Sequence, residues 1–250
     1  MAQRRYYMYK NMLSQLIFRV ILCVVSAFSV ILSIGIFYIG TNGGNEFSWN
    51  FLKYYTNLSN YFVFAVSVIV LADTVKRLRA GETEGYNRKI RTFKFMTVVM
   101  ILVTFLVVIF LLDSPFTAGY WRNIGNMSYH FLAPLLFILD YLLFEKKRSI
   151  SVFAPLYSLI IPLVYVCYVF ILGAAIQGFE YPYFFLNVSE LGYGGVCLWV
   201  LGLLGVFTAL GYLLWLWNRF DKIDGKWKFD FHNVMFPNKN KDTADTSDSN

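Results

Sequence analysis

Long apolar runs alternate with short polar segments along the whole chain. A run of roughly 17–25 apolar residues is long enough for a helix that crosses a bilayer. Because lipid offers no hydrogen bonds to the backbone, we expect helices in these runs. The pattern predicts an all-α polytopic membrane protein. Its six-helix transmembrane domain covers residues 1–237, a disordered polar tail covers 238–250, and the spans lie at about 16–39, 51–73, 95–112, 127–144, 152–175 and 195–217.

Composition and charge placement agree with this class of protein. The chain is 58% hydrophobic and 15% charged, against about 45–50% and 25% in soluble domains. All of the 22 lysines and arginines except Lys53 and Arg122 fall at the two termini or in loops on the same side as the termini. This bias predicts that both termini are cytoplasmic. The excess cations behind the net charge of +7 therefore flank the spans and orient the protein, so we expect no nucleic-acid partner.

The fourth predicted span carries His130, one of two histidines in the chain. An ionisable side chain inside a span is costly and usually functional. Pro134 follows four residues later and has no N–H to give to the carbonyl of residue 130. We therefore expect an imidazole and a free carbonyl together at one depth, facing a polar neighbour or a cavity.

The second predicted span begins with a cluster of small polar side chains. Thr56, Ser59, Asn60 and Val63 have the i, i+3, i+4, i+7 spacing of one helix face. A polar face is costly in lipid, so we expect it to point into the bundle. Asn57 lies beside this face.

Thr56 and His130 each lie a few residues below the outer start of their helices. A hydroxyl becomes a good nucleophile when an adjacent base accepts its proton. The two side chains form such a pair if their helices touch, with Ser59 one turn deeper as the reserve nucleophile. The alternative is structural, because Ser, Thr, Asn and His also hydrogen-bond across membrane helices.

Other titratable residues add little to this site. Asp140 lies ten residues after His130, about 15 Å along a helix axis, so we expect it to have a structural or topological role. The three cysteines lie in apolar runs without a C-x-x-C pair, which suggests no metal site. We expect no cofactor.

These residues resemble the androgen-induced protein family, which includes the androgen-dependent regulator of tissue factor pathway inhibitor and bacterial members. The resemblance rests on Thr56 at the start of the second span and on His130 followed by Pro134 and Asp140. It also rests on the segment Tyr181-Pro182-Tyr-Phe-Phe-Leu before the last span. The Asn-Leu-Ser-Asn run after Thr56 is more like the bacterial branch, which implies a bacterial plasma membrane.

The resemblance implies a threonine hydrolase that splits membrane lipid esters, such as fatty-acid esters of hydroxy fatty acids. Thr56 would be the nucleophile and His130 the base. We expect Asn57, Asn60 or a backbone N–H to hold the oxyanion. We expect Tyr181, Pro182 and Tyr183 to form part of a cover over the site. Two alternatives remain open: a transporter or channel, and a non-catalytic lipid-binding or scaffold protein.

Overall fold

Six helices are long and apolar enough to cross a membrane in the computed structural model. The structure describes residues 2–40, 49–82, 87–112, 123–223 and 226–229. The predicted all-α polytopic fold is confirmed in these residues. The predicted disordered tail at 238–250 lies outside them.

Most of the helices extend beyond the predicted apolar runs. An apolar run predicts where the middle of a membrane-spanning helix lies, but it does not predict how far the polar ends continue. Most of these helices continue for about one turn or more beyond the apolar run. A 3-10 turn at Trp49–Lys53 leads into the second helix. The helices are α1 (Ala2–Gly40), α2 (Tyr55–Ala80), α3 (Arg88–Leu112), α4 (Ile124–Phe144), α5 (Ala154–Ala175) and α6 (Val188–Arg219).

Several helices are irregular at identifiable points. Helix α3 ends in a π-helical turn at Val108–Leu112, and α4 contains another at Met127–Leu132. Helix α5 consists of Ala154–Tyr157 and Ile160–Ala175, each with a proline in its first turn, where the missing N–H is tolerated.

Helix α6 begins at Val188, seven residues before its predicted start. It is kinked at Gly192 and helical on both sides of the kink. The φ of Gly192 is 64°, in the left-handed region that glycine adopts at little cost. A two-stranded antiparallel hairpin, β1 (Phe220–Ile223) and β2 (Lys226–Phe229), follows α6. The hydropathy pattern did not predict it.

Helix α1 presents a seam of small hydroxyl residues to its neighbours α2 and α4. Ser26, Ser29 and Ser33 of α1 are all buried, and each donates a hydrogen bond to a carbonyl three or four residues earlier. Ser29 also bonds to Ser128 of α4 at 2.6 Å. Small polar residues of this kind let membrane helices approach closely.

A buried ionic cluster joins three helices at the end of the bundle far from His130. It consists of Arg19 on α1, Lys94 on α3, and Asp140 on α4 with Glu145 just after it. Asp140 accepts from Arg19 Nε at 3.0 Å and lies 2.6 Å from Lys94 Nζ. Lys94 also contacts Glu145 at 3.0 Å.

The ionic cluster corrects one part of the charge interpretation. The charge pattern assigns Arg19 to the N-terminal cations and Lys94 to a loop, where both would orient the chain. The structure instead buries both within the bundle, at 1% and 0% exposure. Arg19 also donates to Thr74 of α2 at 2.6 Å, so all four of the first helices meet here. Asp140 has the structural role that its distance from His130 indicated.

We predict that Asp140→Asn lowers the free energy of unfolding by about 3–5 kcal/mol, because it leaves two buried cations with one carboxylate fewer. The matched control is Asp73→Asn, which removes the carboxylate of a more exposed i, i+4 pair with Arg77 and should cost about 1 kcal/mol or less. Chemical unfolding in detergent micelles, followed by circular dichroism, measures both. Equal losses in the two variants would contradict the proposed role of the cluster.

Candidate functional site

The first turn of α2 carries Thr56 with its side chain inside the protein. Thr56 is 6% exposed, and Ser59, Asn60 and Val63 are at most 1% exposed, which confirms the predicted inward face. The Thr56 N–H donates to the hydroxyl of Tyr183 at 3.2 Å. The Thr56 Oγ1 lies 3.3 Å from the same hydroxyl, within hydrogen-bond reach.

The polar neighbours of Thr56 have structural partners. Asn57 Nδ2 donates to the Phe51 carbonyl at 2.9 Å, which ties α2 to the 3-10 turn before it. Ser59 donates to the Thr56 carbonyl at 2.8 Å and accepts from Thr104 of α3 at 3.1 Å. Thr104 was not among the candidates, because nothing in the sequence shows which hydroxyl of α3 faces α2.

Asn60 connects α2 to the helix that carries His130. Its Nδ2 donates to two carbonyls, Thr56 O and Tyr129 O, each at 2.9 Å. The amide therefore fixes the first turn of α2 against the residue directly before His130.

The π-helical turn changes the expected consequence of Pro134. In a π-helix the N–H of a residue bonds to the carbonyl five residues earlier, as the N–H of Ala133 does with Ser128 O. On this pattern the missing N–H of Pro134 would leave the carbonyl of Tyr129 without a donor, rather than that of His130. Asn60 supplies that donor. The sequence analysis assumed α-helical spacing and therefore predicted that Pro134 frees the carbonyl of His130. The π-helical spacing moves this effect one residue back, to the carbonyl of Tyr129.

Thr56 and His130 line one cavity near the end of the bundle away from the ionic cluster, which we call the outer end. Its volume is about 380 Å³, within the size range of small-molecule sites. The imidazole of His130 is edge-on to the Tyr129 ring, with centroids 4.4 Å apart. We call this space the outer cavity; its lining residues are Tyr54, Thr56, Asn57, Val108, Leu112, Tyr129, His130, Pro182 and Tyr183.

A second, smaller cavity of about 60 Å³ lies between α2, α3, α5 and α6, and we call it the inner cavity. Its accessible lining is apolar and includes Val103, Val200 and Phe207. Thr56 and Tyr183 line both cavities. Thr56 therefore borders both a cavity with some polar lining and a cavity with an apolar lining.

The segment between α5 and α6 closes the outer end of the bundle. Lys53 Nζ donates to the Glu180 carbonyl at 3.3 Å, and the Tyr165 hydroxyl donates to the Lys53 carbonyl at 2.7 Å. Pro182 lines the outer cavity. Tyr181 instead packs against Gly173, where a Cβ would collide with its ring, and it lines neither cavity.

Tyr183 belongs to the candidate site through a contact with Thr56 that the sequence did not predict. The sequence suggested for Tyr183 only a place in the cover over the site, yet it is 8% exposed and bonds to Thr56. Burial raises the pKa of its hydroxyl above the ordinary value. The sequence segment around Pro182 drew attention to this region. The contact between Tyr183 and Thr56 could not be predicted from it, because the two residues are 127 positions apart in the chain and only the fold brings them together.

The arrangement suits acyl transfer. It holds a hydroxyl at the first turn of a helix, an imidazole on the same cavity wall, and an apolar space beside the hydroxyl. Within the residues that the structure describes, no three His, Cys, Asp or Glu side chains are grouped so that they could hold a metal ion.

We predict that Asn60→Ala lowers the free energy of unfolding by about 1–3 kcal/mol, because it leaves the buried carbonyl of Tyr129 without its donor. Ser59→Ala is the matched control. Its hydroxyl donates within its own helix, and Thr104 keeps a second acceptor in Met100, so the loss should be about 0.5–1.5 kcal/mol. Thermal unfolding in one detergent compares them. A larger loss in Ser59→Ala would contradict the role given to Asn60.

In comparisons with known proteins, no family model, no curated protein and no solved structure matches this chain.

Proposed function

We propose that this multi-pass membrane protein hydrolyses lipid esters, with Thr56 as the nucleophile and His130 as the general base. One observation carries the proposal: Thr56 lines a cavity of mixed polar and apolar lining together with His130, and it also lines a second cavity whose accessible lining is apolar. An ester with one apolar chain needs both environments around the reacting hydroxyl. The resemblance to the androgen-induced protein family supports the same chemistry.

The two cavities suggest how the substrate is oriented. The first carbons of the acyl chain would enter the inner cavity of about 60 Å³, and the rest of a long chain would continue between the helices. Contact with side chains such as Val103, Val200 and Phe207 removes apolar surface from water. The alcohol part would occupy the outer cavity beside His130. The ester carbonyl then lies at the junction, next to the Thr56 hydroxyl.

The reaction follows the general course of nucleophilic acyl transfer. Thr56 Oγ1 attacks the ester carbonyl carbon while His130 accepts the hydroxyl proton. The tetrahedral intermediate collapses, the bond to the alcohol oxygen breaks, and His130 returns the proton to the leaving alcohol. Water then attacks the acyl-threonine, with His130 as base, and releases the fatty acid.

The cation bias supports an orientation with both termini in the cytoplasm, and the resemblance to the bacterial branch supports a bacterial plasma membrane. The reacting hydroxyl would then lie near the outer face. Water would reach the outer cavity from that face, and lipid would enter from the side. A membrane lipid is therefore the substrate class that we propose.

A transporter is less well supported by the contacts. A polar route across the bilayer needs hydroxyls that are free to solvate a solute. The seam hydroxyls of α1 and those of Ser67 and Thr74 on α2 all donate to carbonyls of their own helices. This arrangement serves close helix packing rather than passage of a polar solute.

We predict that Thr56→Ala and His130→Ala each reduce hydrolysis of a long-chain p-nitrophenyl ester by at least about 100-fold, because the nucleophile or its base is removed. Ser59→Ala should stay within about threefold of wild type. Release of nitrophenol by purified protein in detergent measures the rates, and circular dichroism verifies that each variant is folded.

Full activity in a folded Thr56→Ala variant would contradict the proposed nucleophile. Loss in Ser59→Ala alone would move the nucleophile one turn deeper. A folded wild type that hydrolyses no ester in a series of increasing chain length would favour the non-catalytic lipid-binding alternative.

We predict that Val200→Phe shifts chain-length preference toward short acyl chains, because the larger side chain fills the inner cavity. The rate ratio of the sixteen-carbon ester to the four-carbon ester should fall by about tenfold, equivalent to roughly 1.4 kcal/mol of lost chain contact. Leu201→Phe is the matched control, since Leu201 is 65% exposed on the same helix. An unchanged ratio in Val200→Phe would place the acyl chain elsewhere.

A further inference from the structure

Tyr183 is held rigidly beside the proposed nucleophile. Its ring stacks on Phe185, with centroids 5.1 Å apart, and meets Tyr54 edge-on at 6.2 Å. Its hydroxyl contacts two atoms of Thr56, the backbone N–H at 3.2 Å and Oγ1 at 3.3 Å. The hydroxyl therefore faces Thr56, and Tyr183 lines both cavities.

The hydrogen-bonding capacity of this hydroxyl is only partly used by the backbone. It accepts the Thr56 N–H, so its own proton remains to be donated. The acceptor in range is Thr56 Oγ1. Because burial raises the pKa of Tyr183, the phenol keeps its proton at neutral pH and remains a donor.

The other candidate donors are more heavily engaged. Asn60 Nδ2 donates to two carbonyls and has no further hydrogen to give. Asn57 Nδ2 donates to the Phe51 carbonyl, which commits its amide to the turn before α2. The backbone N–H of Thr56 donates to Tyr183 itself.

We propose that Tyr183 is a further catalytic residue, whose hydroxyl donates a hydrogen bond to the ester carbonyl oxygen as that oxygen becomes an anion. The inference rests on the proposed function. When Thr56 Oγ1 bonds to the carbonyl carbon, the π electron pair moves onto the carbonyl oxygen, two bonds from Oγ1. A donor 3.3 Å from Oγ1 reaches that oxygen by a small rotation of its O–H. No proton leaves Tyr183, and the electron pair returns when the alcohol departs.

The test compares an oxygen ester with the thionoester of the same acyl chain and alcohol. Sulfur is a poor hydrogen-bond acceptor, so an oxyanion donor accelerates the oxygen ester selectively. Tyr183→Phe keeps the ring and removes the donor. We expect kcat for the oxygen ester to fall about 100- to 1000-fold, as when one oxyanion donor is removed, with KM nearly unchanged. The thionoester rate should fall by less than about fivefold.

A role for Tyr183 in merely holding Thr56 would slow both esters equally, and that result would overturn the inference. So would a wild type that hydrolyses the two esters at similar rates, whatever the variant does. A selective loss in Asn57→Ala, without one in Tyr183→Phe, would assign the donor to Asn57 instead.

Two further variants separate this inference from the proposed function. Tyr193→Phe removes a hydroxyl from a side chain that is 70% exposed on α6 and should leave both rates unchanged. If Thr56→Ala retains hydrolysis, the proposed function fails and the inference fails with it. If Thr56 is required but Tyr183→Phe has no selective effect, only the inference fails.

Discussion

Every charge buried in a membrane bundle needs a partner inside the protein, and in this protein that constraint centres on the carboxylate of Asp140. This carboxylate contacts Arg19 and Lys94. The same helix, α4, holds His130 near the opposite end of the bundle. Removing any one partner would leave an uncompensated charge in a medium where that is costly. The ionic cluster therefore fixes how α1, α3 and α4 lie against one another, and Arg19 extends it to α2 through Thr74.

At the outer end of the bundle, hydrogen bonds connect the start of α2 to its neighbours around the outer cavity. Asn60 ties the start of α2 to the π-helical turn of α4, and Tyr183 ties it to the segment before α6. These links hold Thr56 and His130 on the wall of one cavity. In the proposed function, the cavity at the outer end would hold the ester and admit water, while the ionic cluster holds the helices together at the opposite end.

The hydropathy pattern alone predicted the number of spans correctly. The spacing of Thr56, Ser59, Asn60 and Val63 alone predicted which face of α2 points into the bundle. Both are local properties of the chain. The ion pairs of Arg19 and Lys94 were missed because a cation at the end of an apolar run looks the same whether it faces headgroups or a carboxylate. The π-helical turn and the Tyr183 contact were missed because they depend on packing between distant segments, such as the 127 residues that separate Thr56 from Tyr183.

The most direct test of the account is to react the purified protein with a long-chain alkyl fluorophosphonate and map the adduct by mass spectrometry. This reagent phosphonylates hydroxyls that a neighbouring base activates. The account predicts one adduct, on Thr56, and its loss in a folded His130→Ala variant. A folded wild type that remains unmodified, or an adduct on another residue that does not depend on His130, would contradict it.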